Sequence, residues 1–253
     1  MNKEGTFGLY EAVCLTTLLM ISKTFFTSTR FIVKTLGTSA WYGALISCAV
    51  SMVFFLLIYI LLKKFPGLNI VEVFEAVLGK VIGKAMALLF SAYALYYAGS
   101  TLREFLEMIK AYNLPLTPPS VILGSYILVV VLLAYLGLEV IARVSYTSFW
   151  PVLGGIAVIL ILASPYYDPD YLKPWLGYGI DKTLYLGFLR SSAYDEVVLL
   201  ALIINSIHGL KNFKKAGLIS LGLTGAIFSL NIALYLMAFQ YTGGSENLSG
   251  LFE

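Results

Sequence analysis

The chain has 253 residues, of which 59% are hydrophobic and 12% are charged, and its mean hydropathy is +0.86. Because soluble domains carry about a quarter charged residues, this composition excludes an ordinary soluble protein and predicts an all-α polytopic membrane protein surrounded by membrane lipid. The formal net charge of +3 is modest and gives no reason to expect a nucleic-acid partner.

Seven apolar segments divide the chain, each near the length that a helix needs to cross a bilayer. They are residues 7–32, 41–62, 81–106, 121–138, 146–163, 184–207 and 216–239, called segments 1 to 7 below. Glu11 interrupts the apolar run of segment 1, so we expect this segment to stay in the protein rather than to be cleaved as a signal peptide. The whole chain, residues 1–253, is therefore treated as one transmembrane domain.

Segment 1 carries a charge near its centre, where Lys23 lies between Ser22 and Thr24. A lysine at that depth is costly unless it snorkels, pairs with an acid or lines water. We therefore expect Lys23 to lie near the acidic residues of segment 6, Asp195 and Glu196. The pair could serve a bound ligand or could be purely structural, and the sequence leaves both interpretations open.

The connections on either side of segment 3 carry local signals. Asn69 and Glu72 have the spacing of a capping box, and an apolar stripe follows them, which predicts an interfacial helix over residues 69–78. After segment 4, Glu139 and Arg143 predict a polar connection before segment 5 begins at residue 146. The basic residues 211–215 predict a loop between segments 6 and 7.

Segment 3 contains three tyrosines, Tyr93, Tyr96 and Tyr97, at spacings that predict one shared helix face. Such a face could line a substrate cavity or pack into an aromatic core. Tyr97 is the tyrosine that we include among the candidate ligand-binding residues.

Segment 6 is the most informative stretch because Arg190, Asp195 and Glu196 lie near its middle. Lipid cannot satisfy charges or loose backbone, so these residues must face protein or a wet cavity. The intervening Ser-Ser-Ala-Tyr run is a poor continuous helix. We expect one half-helix to end near Arg190 and a second to begin with Asp195 as its N-cap and Glu196 in its first turn.

Two charged spans, segments 1 and 6, thus predict broken helices, which is how many secondary transporters form a site at the membrane midplane. Four spans separate them, so they would be the first helices of two five-helix groups in an inverted repeat. The candidate substrate-binding residues are Ser22, Lys23, Thr24, Tyr97, Ser191, Ser192, Tyr194, Asp195 and Glu196.

Catalytic and metal-binding chemistry is not indicated. The two cysteines, Cys14 and Cys48, lie inside apolar segments without a C-x-x-C spacing, and His208 is the one histidine of the chain. The sequence has no Ser–His–Asp arrangement, metal-ligand spacing or phosphate loop. We therefore expect a protein that is not an enzyme and that uses neither a metal ion nor another cofactor.

Several short motifs occur in a specific order along nearly the whole chain. They are the stretches 25–28 and 37–42, the sequence EAVLGKVIG at 75–83, LREF at 102–105, LPLTP at 114–118, LKP at 172–174 with Gly177 and Gly179, and YDE at 194–196. Together they resemble the endospore germination permeases, GerAB-like proteins of the amino acid–polyamine–organocation superfamily.

The resemblance implies a LeuT-like helix bundle in the bacterial cytoplasmic membrane, specifically the spore inner membrane. It implies a germinant receptor B subunit that recognises a small nutrient, typically an amino acid, together with an A subunit and a lipoprotein C subunit. Glu196 matches the acidic position of the family's sixth helix. The family has about ten spans, so this chain would lack the last three, and Lys23 replaces the glycine-rich break of typical first helices.

Three functional hypotheses follow from these observations. The chain could be a sensory, permease-like receptor subunit, or a proton-coupled amino-acid transporter with Asp195 or Glu196 as proton carrier. It could also be a truncated interaction subunit that neither transports nor binds a ligand. Nutrient binding without uptake would favour the first hypothesis, uptake the second, and partner assembly without either the third.

The basic residues predict an orientation in which the N-terminus is inside. Nine of them would then be inside and six outside, in agreement with the positive-inside rule. The inside set is Lys3, Lys63, Lys64, Lys80, Lys84, Arg143, Lys211, Lys214 and Lys215, and the outside set is Arg30, Lys34, Arg103, Lys110, Lys173 and Lys182.

This orientation can be tested with single cysteines in a protein that lacks Cys14 and Cys48. An impermeant thiol reagent added outside should label a cysteine placed within residues 168–182, because that connection is predicted to face outward. A cysteine within residues 211–215 should stay unlabelled until the membrane is permeabilised. Labelling of the second position from outside would contradict the assignment.

Overall fold

The structure is a computed structural model that describes residues 6–25 and 28–239. Within those ranges the chain is helical between its turns, contains no β-strand, and has one isolated parallel bridge between Phe7 and Ile207. The α-helices of the described residues are α1 (Leu9–Ile21), α2 (Ser28–Leu36), α3 (Ala40–Lys64), α4 (Ile70–Met108), α5 (Pro119–Leu136), α6 (Leu138–Leu162), α7 (Ile180–Leu189), α8 (Leu199–Leu202) and α9 (Gly209–Ala238). The prediction of an all-α protein is confirmed.

Several shorter helices connect these elements. They are the 3-10 helices Ser22–Phe25, Gly37–Ser39, Ser164–Tyr166, Pro169–Leu172, Arg190–Val198 and Ile204–Ser206, and the π-helix Ile109–Asn113. Segments 1 and 6 of the sequence are therefore each divided into several shorter helices. Within both segments, 3-10 helix interrupts the α-helix.

Among the described residues, four helical stretches are long and apolar enough to cross a membrane. They are Thr29–Lys64, Pro119–Leu136, Leu138–Leu162 and Gly209–Ala238, which correspond to the predicted segments 2, 4, 5 and 7. The count of seven spans stays a prediction. In the most apolar 18-residue stretch of α9, 50% of the residues are buried, whereas the corresponding share for α5 is 6%. Helix α9 is therefore central to the bundle and α5 is peripheral.

The core forms where α9 packs along α1 and α3. Small residues on α9 permit this close approach: a Cβ atom added to Gly217 would lie 2.0 Å from Phe55 Cζ, and one added to Gly225 would lie 2.5 Å from Cys48 Sγ. Because lipid offers no hydrophobic force between helices, van der Waals contact at such small residues stabilises their association.

The segment from Asn69 to Met108 contains the two predicted helices, which are separated by non-helical backbone at Gly79. Asn69 Oδ1 accepts from the backbone N–H groups of Val71 and Glu72 at 3.0 Å, and Asn69 N–H donates to Glu72 Oε2 at 2.7 Å, so the predicted capping box is confirmed. The interfacial helix and segment 3 are both parts of α4, which has a sharp kink at Gly79 (φ 78°). A positive φ of this size is where glycine is favoured.

Two predicted connections are wrong because the helices begin earlier. A single residue, Gly137 with φ 92°, separates α5 from α6, so Glu139 and Arg143 form an ion pair within the first turns of a helix rather than a loop. The lysines at 211–215 lie in the first turns of α9. Local polarity predicted loops there, but an exposed helix surface also accommodates charged residues, and Glu139 and Arg143 have the favourable spacing of four residues.

The connection near residue 168 and the stretch near residue 211 lie at opposite ends of α9. Phe7 N–H donates to Ser206 O at 3.0 Å, next to the start of α9, whereas Asp168 N–H donates to Met237 O at 2.9 Å, next to its end. Residues near 168 and residues near 211 are therefore separated by the length of a 30-residue helix. This agrees with their predicted positions on opposite membrane faces, whose assignment to inside and outside stays a prediction.

The close contact at Gly217 generates a stability prediction. Gly217→Ala should lower the free energy of unfolding by about 1–3 kcal/mol, because the new methyl group overpacks the Phe55 ring. Gly222→Ala on the same helix is the matched control, since its Cβ would meet Met52 Cε at an ordinary 3.6 Å and alanine favours helix by up to about 1 kcal/mol.

Thermal unfolding of purified protein in detergent would measure both variants. A thiol-reactive dye can report unfolding because Cys14 and Cys48 are both free and buried. Equal melting temperatures for the two variants would show that this contact does not limit the packing of α9 against α3.

Candidate functional site

The two interrupted stretches of helix supply the charged residues of the site. Helix α1 ends at Ile21 and continues as the 3-10 helix Ser22–Phe25, and α7 ends at Leu189 and continues as the 3-10 helix Arg190–Val198. The second stretch is rich in serine and aspartate, which compete with helical backbone hydrogen bonds. The α-helical geometry therefore changes to 3-10 geometry at Arg190, and the assignment of segments 1 and 6 as broken helices stays a prediction.

The prediction that Asp195 is an N-cap is wrong. Helix α8 begins at Leu199, and Val198 occupies the N-cap position without a side-chain hydrogen bond. The carboxylate of Asp195 instead binds side chains of other helices. An ammonium partner stabilises a largely buried carboxylate more than a backbone cap does, because it supplies a full opposite charge where water is scarce.

Lys23 is the centre of the site. Its Nζ atom donates to Glu196 Oε2 at 2.8 Å, to Asp195 Oδ1 at 3.1 Å and to Ala193 O at 2.7 Å, so three oxygen acceptors match its three N–H groups. The Glu196 side chain is 4% exposed and that of Lys23 is 15% exposed. The expected proximity of Lys23 to the acids of segment 6 is confirmed.

Two tyrosines of α4 complete the site. Tyr97 OH donates to Glu196 Oε1 and Tyr93 OH donates to Asp195 Oδ2, and the two rings stack with centroids 6.3 Å apart. The Lys23 ammonium lies 5.4 Å from the centroid of the Tyr97 ring, within the range of a cation–π contact. Each carboxylate therefore has a lysine on one oxygen and a tyrosine on the other.

Tyr93 was missing from the predicted site, and the grouping of Tyr96 with it on one face is wrong. Tyr96 is 75% exposed and points away from the acids. The signal that could have found Tyr93 is its spacing of four residues from Tyr97, since positions i and i+4 lie one above the other on a helix.

A wide cavity of about 590 Å³ lies on one side of this charge cluster. Its volume is within the range of small-molecule sites, roughly 300–1,000 Å³. Its wall is largely apolar, with a polar patch where the cluster meets it. That patch consists of Ser22, Tyr93, Tyr97, Asp195 and Glu196.

A small chamber of about 20 Å³ lies on the other side and is lined by Lys23, Thr24, Arg190, Tyr194 and Asn231, among others. This is room for about one water molecule. The buried oxygens Thr24 Oγ1 and Asn231 Oδ1 have no hydrogen-bond partner. Unpaired buried polar atoms are rare in proteins, so these two atoms distinguish the chamber from a void lined by apolar side chains alone.

The remaining predicted site residues lie away from the wide cavity. Ser191, Ser192 and Tyr194 line a further cavity of about 210 Å³ beside α3, which Asp195 also borders. The Tyr194 side chain is buried, and its hydroxyl donates to Ala44 O at 3.1 Å. The structure thus brings Ser22, Lys23, Tyr97, Asp195 and Glu196 together and places Thr24, Ser191, Ser192 and Tyr194 around the cluster's other sides.

Apolar helices of membrane-spanning length, with buried charges held where two helices are interrupted, are the features of a permease-like membrane protein. A family model described as "Spore germination protein" matches residues 8–246, and the chain therefore belongs to the spore germination permease family. The resemblance drawn from the short motifs is confirmed.

Two relatives support this membership. The chain is 30% identical to "Spore germination protein KB" of Bacillus subtilis (strain 168) over 202 residues, which are 78% of this chain and 54% of that protein. It is 28% identical to "Putative spore germination protein YfkT" of the same organism over 123 residues, 49% of this chain and 34% of that protein. The chain thus spans about half the length of the first curated relative and a third of the second. No solved structure matches the chain.

The buried ion cluster predicts strong coupling between its members. Lys23→Met should cost about 3–5 kcal/mol of stability, because it leaves two buried carboxylates without their cation. Glu196→Gln combined with Lys23→Met should be less harmful than the sum of the single changes, with a coupling free energy of about 0.5–3 kcal/mol.

The four proteins of this double-mutant cycle would be compared by thermal unfolding in detergent. Lys84→Met is the matched control, since Lys84 is exposed on α4 and its substitution should change stability by less than about 0.5 kcal/mol. Strictly additive effects of Lys23→Met and Glu196→Gln would exclude direct pairing between the two side chains.

Proposed function

We propose that this protein is the permease-like membrane subunit of a spore germinant receptor and that its wide cavity binds the nutrient that the receptor senses. The observation that carries the proposal is the cluster of Lys23, Asp195 and Glu196 on the wall of a cavity of ligand size. Charges inside a membrane protein are costly and commonly mark substrate or ion sites. Membership of the spore germination family supplies the biological process.

The proposal includes a LeuT-like bundle that crosses the membrane about seven times, with segments 1 and 6 as broken helices. The interruptions at Ser22–Phe25 and Arg190–Val198 support this arrangement, because the first contains Lys23 and the second contains Asp195 and Glu196, the three charged residues that pair with each other. The protein would lie in the bacterial cytoplasmic membrane, and specifically in the spore inner membrane. Its proposed partners are a receptor A subunit and a lipoprotein C subunit.

The proposed ligand is a small nutrient, and an amino acid is the first class to test. The wide cavity supports recognition rather than bond-breaking chemistry, because the two carboxylates on its wall are already paired with tyrosine hydroxyls, and the other polar side chains that line it, Ser22, Thr101 and Tyr126, are hydroxyls. We accordingly propose a receptor subunit that is not an enzyme.

One observation favours proton-coupled amino-acid transport as a second candidate function. Asp195 borders both the wide cavity and the cavity of about 210 Å³ beside α3, so this residue is accessible from two cavities. A proton carrier needs such access. Uptake of labelled amino acid into vesicles that contain the protein would favour this function, whereas nutrient binding without uptake favours the receptor subunit.

Glu196→Gln tests the proposed function in spores. The change keeps the size of the side chain and most of its hydrogen bonding but removes the charge that pairs with Lys23 at 2.8 Å. We expect near-normal protein levels and a strongly reduced germination response to nutrient. Immunoblots of spore membranes and the loss of optical density after nutrient addition would measure the two quantities.

The matched control is Glu107→Gln, which removes a carboxylate from the exposed surface of α4. Glu107 is 61% exposed and pairs with Arg103 on the same helix, a kind of ion pair that contributes about 0.3–0.5 kcal/mol. This variant should germinate normally. A Glu196→Gln protein that accumulates and responds like the unchanged protein would refute the proposed site.

A further inference from the structure

The charged residues that the structure describes on the wall of the wide cavity are acidic. Of the described residues that line this cavity, the charged ones are Asp195 and Glu196, and Lys23 contacts both carboxylates from the side of the small chamber. One ammonium group cannot neutralise two carboxylates. With both carboxylates ionised, the cluster has a net charge of −1, directed toward the cavity.

The two carboxylates are not equivalent. The Glu196 side chain is 4% exposed, holds Lys23 at 2.8 Å and accepts the Tyr97 hydroxyl. The Asp195 side chain is 23% exposed and lies farther from the same ammonium, at 3.1 Å. Glu196 is thus the internal partner of Lys23, whereas Asp195 is the carboxylate that a molecule inside the cavity can contact.

The rest of the cavity wall favours hydrocarbon. Apart from Thr101 and Tyr126, its side chains are apolar and come from α1, α4, α5, α8 and the preceding 3-10 helix, among them Leu19, Phe90, Leu102, Ile127, Val130 and Leu199. A ligand with one positive group and an apolar body matches this wall. A carboxylate on the ligand would meet Asp195 with a like charge in a poorly hydrated space, which costs free energy.

We propose that the wide cavity selects organic ammonium ions with a hydrocarbon body, that Asp195 is their counter-ion, and that a carboxylate next to the ammonium group weakens binding. This inference rests on the proposed function of the cavity as the ligand site and narrows its ligand class. Amino acids would bind, but more weakly than the amines that share their side chains. Lys23 stays paired with Glu196 while the ligand is bound.

Four compounds with one hydrocarbon body separate the contributions to binding. Isoamylamine carries the ammonium group alone, leucine adds a carboxylate beside it, isovalerate carries a carboxylate alone, and isoamyl alcohol is neutral. Each would be added to the purified full chain in detergent, and the melting temperature would be followed with a thiol-reactive dye that reports exposure of the buried Cys14 and Cys48. A ligand that binds the folded state raises the melting temperature by an amount that grows with the logarithm of its concentration divided by its Kd.

We expect isoamylamine to raise the melting temperature most, leucine and the alcohol less, and isovalerate not at all. Leucine binding as tightly as isoamylamine would overturn the proposal, as would equal shifts from the amine and the alcohol. Absence of any shift up to the solubility limit of each compound would also overturn it. Because binding is measured on purified protein, failure here is separate from failure of the germination response in spores.

Variants at position 195 identify the counter-ion. Asp195→Asn should weaken isoamylamine binding by about tenfold, on the order of the loss of one partly buried charge pair, while leaving the small shift with the alcohol unchanged. Asp195→Glu should restore most of the amine binding because it restores the charge. The melting temperature of each variant without ligand shows whether it folds, and unchanged amine affinity in a folded Asp195→Asn protein would overturn the assignment of Asp195.

Discussion

The ion cluster of Lys23, Asp195 and Glu196 is the interaction on which the rest of the structure depends. An unpaired ammonium or carboxylate inside a bundle of apolar helices is costly, so segments 1 and 6 must meet wherever their charges lie. The cluster lies at irregular backbone on both sides, since Lys23 belongs to the 3-10 helix Ser22–Phe25 and Ala193 O, which accepts from it, belongs to the 3-10 helix Arg190–Val198. Packing, the position of the cavities and the candidate ligand site all follow from this meeting of charges.

Close packing of small residues brings the remaining helices to that cluster. Gly217 and Gly225 let α9 approach Phe55 and Cys48 of α3, while α1 packs on another side of α9. Because α5 is largely exposed, the wide cavity between α4, α5 and the cluster has a loosely packed outer wall. The bundle therefore combines a rigid side, formed by α1, α3 and α9, with a more open side where a ligand can be held.

The sequence predicted features that follow from large local free energies. The cost of a buried Lys23 predicted its acidic partners, and the spacing of Asn69 and Glu72 predicted the capping box, because each signal involves few residues. The role of Asp195 could not be predicted in the same way. Whether a carboxylate caps a helix or binds an ammonium depends on how segment 1 is positioned in three dimensions, which local spacing does not determine.

The attachment of α1 to the stretch that follows α8 has a mechanical consequence. Phe7 N–H is bound to Ser206 O at 3.0 Å and Phe7 O contacts His208 Nδ1 at 2.9 Å, while farther along the same two segments Lys23 is bound to Asp195 and Glu196. Two rigid segments that are joined at two separate points can rotate relative to each other only about the line through those two points. Any rearrangement of these segments that keeps both attachments is thus a swing about a single axis, and it leaves the spacing between the two ends of α1 unchanged.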